Sequence, residues 1–95
     1  MLDLREVFKK HADEYNRFER VENKRHDRQD LCAFLLLHEL VPGKTDMIAT
    51  AGHDEIWLRV SPDALAAVAT EEDVVTLIRC GVRLDRSTDS LAMFV

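Results

Sequence analysis

The stretch Asp46-Met47-Ile48-Ala49-Thr50-Ala51-Gly52-His53-Asp54-Glu55-Ile56-Trp57-Leu58-Arg59-Val60 decides how this chain folds. Its second half alternates. Ile56, Leu58 and Val60 fall on one side of an extended segment, and Trp57 and Arg59 fall on the other. Asp46–Ala51 reads as the partner strand, with Gly52-His53-Asp54 as turn chemistry between the two. A β-hairpin therefore stands in the middle of the sequence, and the flanking segments must cover at least one of its faces.

Upstream the apolar period is helical. Leu4, Val7, Phe8, His11, Tyr15 and Phe18 recur at spacings of three and four, a stripe that can extend to Val21. Lys9, Lys10, Asp13 and Glu14 occupy the wet side. The next segment, Glu22 to Gln29, has no apolar residue and reads as an exposed connector. Its basic cluster is interrupted by Asp27 and carries no aromatic, so a solvated loop explains it better than a nucleic-acid contact. Asp30 can cap a second helix, Leu31 to Leu40, apolar around most of its circumference and so expected at the centre of the domain. Pro42-Gly43 ends it.

Downstream, Ser61-Pro62 is an N-cap followed by proline at the first helical position. Ala64 to Ala69 forms a short helix with a small-residue face. Thr70, with Asp73 three residues on, opens another helix whose buried stripe is Val74, Leu77 and Ile78, and Gly81 is its left-handed stop. Val82-Arg83-Leu84 and Ser90 to Val95 close the chain as a second hairpin. The order α-α-β-β-α-α-β-β implies one α+β domain over 1–95 with a four-stranded, mainly antiparallel sheet. Residues 1–29 supply an amphipathic helix and a polar connector, and 30–95 supply the core.

Ninety-five residues leave no room for a site between two domains. The apolar run Leu31–Leu37 is far short of the ~20 residues that cross a bilayer, and Met1-Leu2-Asp3-Leu4-Arg5-Glu6 has no apolar signal-peptide region. Cys32 and Cys80 sit in apolar segments, as reduced thiols of a cytoplasmic protein would; one disulfide is the alternative. The net charge of −5 argues against direct nucleic-acid binding. It is unevenly placed: residues 1–44 are balanced, with nine basic and nine acidic, and all of the excess lies beyond them. A solvated surface accounts for that asymmetry more simply than a partner does.

No catalytic motif is present. Neither cysteine has a companion at metal-ligand spacing, and no His pair falls at i, i+3 or i, i+4. The three glycines are isolated, and Gly-x-Ser-x-Gly does not occur. Asp85-x-Ser87-x-Asp89 has the start of a calcium loop, but Ser90 stands where that loop needs glycine; an Asx-type turn fits better. No metal, cofactor or catalytic residue is assigned. What remains is interaction chemistry. Trp57, Arg59 and Phe94 share the sheet face opposite Ile56, Leu58, Val60, Leu91, Met93 and Val95, bordered by the acidic loops at Asp54-Glu55 and Asp85–Asp89. They are contact anchors if that face is free, and core if the first helix covers it through Phe8, Tyr15 and Phe18.

The segments Asp30 to Leu37, Val41-Pro42-Gly43, His53 to Leu58, Ala69 to Asp73, Arg79 to Arg83 and Asp89 to Phe94 resemble a family of small proteins encoded by tailed phages and prophages, over roughly residues 18–95. The resemblance implies an accessory gene product in a bacterial cytoplasm and carries over no site residue. The expected function is thus non-enzymatic binding to a host or phage protein or to a second copy of the chain, with no membrane partner. Two other readings compete. One is a small hydrolase or metal-dependent enzyme using His38, His53, Asp54 and Glu55. The other is an acidic DNA mimic that occupies a host protein's nucleic-acid site.

Overall fold

The computed structural model describes residues 2–43 and 46–94; Lys44, in the basic count, and Val95, on the alternating face, lie outside the described residues. The expected α+β architecture is present. Its elements are α1 (Leu4–Lys10), α2 (Gln29–Leu40), β1 (Ile48–Ala51), β2 (Glu55–Leu58), α3 (Pro62–Val68), α4 (Glu71–Arg79), β3 (Arg83–Asp85) and β4 (Ser90–Phe94).

Local chemistry sets these boundaries. The Ser61 hydroxyl accepts from the Ala64 amide at the start of α3. Thr70 and Asp73 form a reciprocal capping box at the start of α4. At its end the Gly81 amide donates to Ile78 O and the Val82 amide to Leu77 O, both at 3.0 Å, which is the Schellman pattern. It requires Gly81 at φ 91°.

The four strands lie in the order β1-β2-β4-β3, all neighbours antiparallel. Two hairpins are thus joined through β2 and β4, with Ile56 opposite Met93 and Trp57 opposite Ala92. In β3–β4, Arg83 stands opposite Ala92 and Leu84 opposite Leu91. Opposed residues share a face. One face therefore carries Ile56, Leu58, Leu91 and Met93, all buried in a core with Leu36 and Leu37 of α2, Leu65 of α3, and Val74, Leu77 and Ile78 of α4. The other carries Glu55, Trp57, Arg83, Asp85, Ala92 and Phe94.

Several expectations need correction. The N-terminal stripe is not one helix. α1 ends at Lys10, and 3₁₀ turns follow at Ala12–Glu14 and Phe18–Arg20. Between them Asn16 adopts φ 63°, a left-handed conformation that asparagine tolerates and a helix interior does not. Its amide donates to Ile78 O at 3.0 Å, so a tertiary bond replaces the helical one. Phe8, Tyr15 and Phe18 still pack against the core, each only half-buried.

Asp30 is not the cap of α2: Arg28 holds that position without a side-chain cap, and Asp30 lies in the first turn. Nor is α2 buried all round. Cys32, Ala33, Leu36 and Leu37 are inside, Phe34 is half-buried and Leu35 is 44% exposed. β1 begins at Ile48 rather than Asp46, whose carboxylate instead accepts from the Ile48 amide. A bulge then shifts its register before Thr50. β2 stops at Leu58, short of Val60. β3 is displaced by one residue, because Val82 is spent on closing α4.

Candidate functional site

The sheet face that carries Trp57 is covered by a layer of its own side chains. The Trp57 indole spans it. Its Nε1 donates to Asp85 Oδ2 at 2.8 Å, across the intervening β4, while its benzo edge reaches the β1–β2 turn. A Cβ on Gly52 would stand 3.2 Å from that ring, a tight contact that glycine avoids. Beneath it Ala92, small enough to pass under the ring, has no exposed surface.

Arg83 is the second member of the layer. Its guanidinium is ion-paired with Glu55 and lies over the Phe94 ring, 4.5 Å from the centroid. Phe94 is 56% exposed, the most exposed large apolar side chain among the described residues. Asp85 accepts from Trp57 and, on its other oxygen, from the amide and hydroxyl of Ser87 at 3.1 and 2.7 Å. The indole bond, then the Ser87 bonds, hold its carboxyl well below the usual range. The Ser87 bonds are also the Asx-type turn expected at Asp85–Asp89.

The proposed site residues thus divide. Trp57, Glu55 and Phe94 are brought together. Arg59 is not with them: its Nε donates to Asp46 O at 2.8 Å, and it lines a separate shallow cleft with His38, Met47 and Val60. Asp54 is exposed on the β1–β2 turn. Trp57 is half-buried, neither a free surface residue nor covered core. α1 packs instead against α4 and β3. Arg83 was not singled out from sequence, and Asp85 was read only as a turn residue bordering the face, not as the partner of Trp57. The signal was there in principle, since alternation through Arg83-Leu84-Asp85 puts both charges on one face, but only the β4 register shows that this is the face of Trp57.

Beside this face, at the β3 edge, lies a groove of about 530 Å³ between α1 and the sheet. A neighbouring groove along the start of α2 shares Tyr15 and Phe94 with it.

The rival chemistries find less. Among the described residues no three His, Cys, Asp or Glu side chains lie close enough to hold a metal ion. His38 and His53 are both exposed, one in α2 and one on the β1–β2 turn, and Glu55 is occupied by Arg83. Glu14 is ion-paired with Arg20 and Arg79, Glu39 with Arg25, and Glu71 with Lys10, and the His11 ring is hydrogen-bonded to Glu71 as well. Among the described residues no helix is long and apolar enough to cross a membrane. No family model matches the chain, and no curated protein or solved structure matches it either.

Proposed function

We propose that this chain is a non-enzymatic binding protein whose contact surface is centred on Phe94. The observation that carries the reading is the pairing of that largely exposed ring with the Arg83 guanidinium above it. Aromatic and arginine side chains are the commonest anchors of protein interfaces. Here Trp57, Asp85 and Glu55 hold the arginine and the sheet beneath it in place, so little side-chain freedom is lost on contact. The partner is a protein, a second copy of the chain included. The resemblance to phage and prophage products supports a bacterial cytoplasm as its setting.

The test compares Phe94→Ala with Val68→Ala, a change at another exposed apolar residue. Light scattering reads the oligomeric state, and capture from host lysate with quantitative mass spectrometry reads the partners. Phe94→Ala should lose a dimer or a captured partner that Val68→Ala retains, with an unchanged melting temperature. Identical assembly and identical captured proteins in parent and both variants would overturn the reading.

A further inference from the structure

We infer that the groove at the β3 edge accepts an extended peptide segment in which apolar side chains alternate with carboxylates. The inference rests on the reading of the chain as a binding protein and adds the chemistry of the partner.

The groove is apolar inside, lined by Phe8, Tyr15, Ile78, Val82, Leu84 and Phe94. The charged residues around it are all cations: Arg5, Lys9, Arg83 and Arg86. No carboxylate lines it, in a chain with net charge −5. Lys9 and Arg86 have no ion-pair partner among the described residues, and Arg5 reaches Asp89 only at 3.5 Å with both side chains largely exposed. Lys9 and Arg86 are thus the available cations of the rim, Arg83 being paired with Glu55, and they run against the charge of the molecule as a whole. Screening lets a short ligand respond to the rim alone, because charges farther off than ~8 Å are damped at physiological salt.

Position selects the ligand class. Leu84 comes from the buried face of the sheet, Arg83 and Phe94 from the opposite face, yet all three line the groove. The groove therefore wraps the outer edge of the sheet, where β3 pairs with β4 only. An edge strand presents main-chain donors and acceptors to an added strand. A peptide uses that edge; a fatty acid or other anionic amphiphile does not. In an added strand, alternate side chains enter the apolar groove and the others meet the cations. A single-stranded nucleic acid finds cations and the rings of Phe8, Tyr15 and Phe94 here, but its backbone has no alternating amide donors and carbonyl acceptors to pair with a strand edge.

The experiment selects from a displayed random-peptide library on the intact protein. Enriched peptides should carry Asp or Glu at alternate positions with apolar residues between. Labelled peptide should bind the Lys9→Glu/Arg86→Glu double variant at least ~10-fold more weakly than the parent, with a shallower salt dependence. N-methylation of every second amide, in one of the two registers, should abolish binding. Peptides without acidic enrichment, no enrichment at all, equal affinity for the double variant, tolerance of N-methylation in both registers, or tighter binding of an oligothymidine probe would each overturn the inference. A partner lost in Phe94→Ala but retained by the double variant would leave the binding function standing and remove only the acidic-peptide site.

Discussion

Trp57 and Asp85 stand on strands that do not touch, β2 and β3, and the 2.8 Å bond between indole Nε1 and carboxylate Oδ2 joins them over the back of β4. It is a cross-brace of the sheet, and it makes Asp85 a better acid in the folded than in the unfolded chain. A carboxyl with a depressed folded pKa stabilises above its unfolded value and loses that contribution as pH falls.

The brace predicts the behaviour of Trp57→Phe, which keeps most of the ring and removes the donor. The variant should melt below the parent at neutral pH, and the gap should narrow as pH drops through ~4, where unpaired carboxyls begin to protonate. Thermal melts by circular dichroism at several pH values check it. A gap constant across the acid range would mean that packing, not the hydrogen bond, is what the indole supplies.

Neighbouring leucines of α2 should respond very differently to truncation. Leu36→Ala should cost ~2–5 kcal/mol, since Leu36 is buried in the core cluster. Leu35→Ala should cost less than ~1 kcal/mol, since Leu35 faces outward. Urea titration of both variants measures the contrast.

Gly81→Ala should destabilise by ~1–3 kcal/mol. Its φ of 91° is unfavourable for any residue with a Cβ, and that Cβ would meet Gln29 Nε2 at 2.8 Å. Gln29 in turn donates to Asn16 Oδ1, so the damage should spread to the left-handed turn there. Chemical denaturation gives the magnitude. Loss of amide protection at Asn16 would show the spread.

Cys32 and Cys80 should resist thiol reagents in the native state. Both are free and fully buried. Burial, with the second thiol beside it, pushes the Cys80 pKa up to about 12, so almost no thiolate is present at neutral pH. Labelling followed by mass spectrometry should proceed at the rate of global unfolding. Rapid reaction at either residue would mean that α2 and the end of α4 open locally.

Where a feature depended on neighbours in sequence, it could be read from the sequence. The Ser61 and Thr70 caps, the Gly81 stop, both hairpins and the α-α-β-β-α-α-β-β order are of this kind. Misreadings arose where a distant residue intervened. The stripe from Leu4 to Phe18 has helical spacing, yet Ile78 O takes the Asn16 amide and the helix breaks. Leu35 is as apolar as Leu36, and only the placement of the other helices separates them. The candidate site shows the same divide. Alternation placed Trp57 and Phe94 on one face, but the strand order that sets Arg83 against Phe94 and Asp85 against Trp57 is a tertiary property.

The strand order also has a consequence for biosynthesis. β4, the last of the four strands to be made, lies inside the sheet, between β2 and β3. Until β4 has been made, the β1–β2 hairpin is without the strand that completes its ladder, and a lone two-stranded hairpin is marginal in water. Ile56, buried in the finished fold, lacks its partner Met93 for that interval. Completing the sheet takes a long-range closure between β2 and β4 that local helix formation cannot replace. Translation that stalls just before Ser90 would leave a nascent chain with helices but an unfinished sheet, which is the species a chaperone would meet.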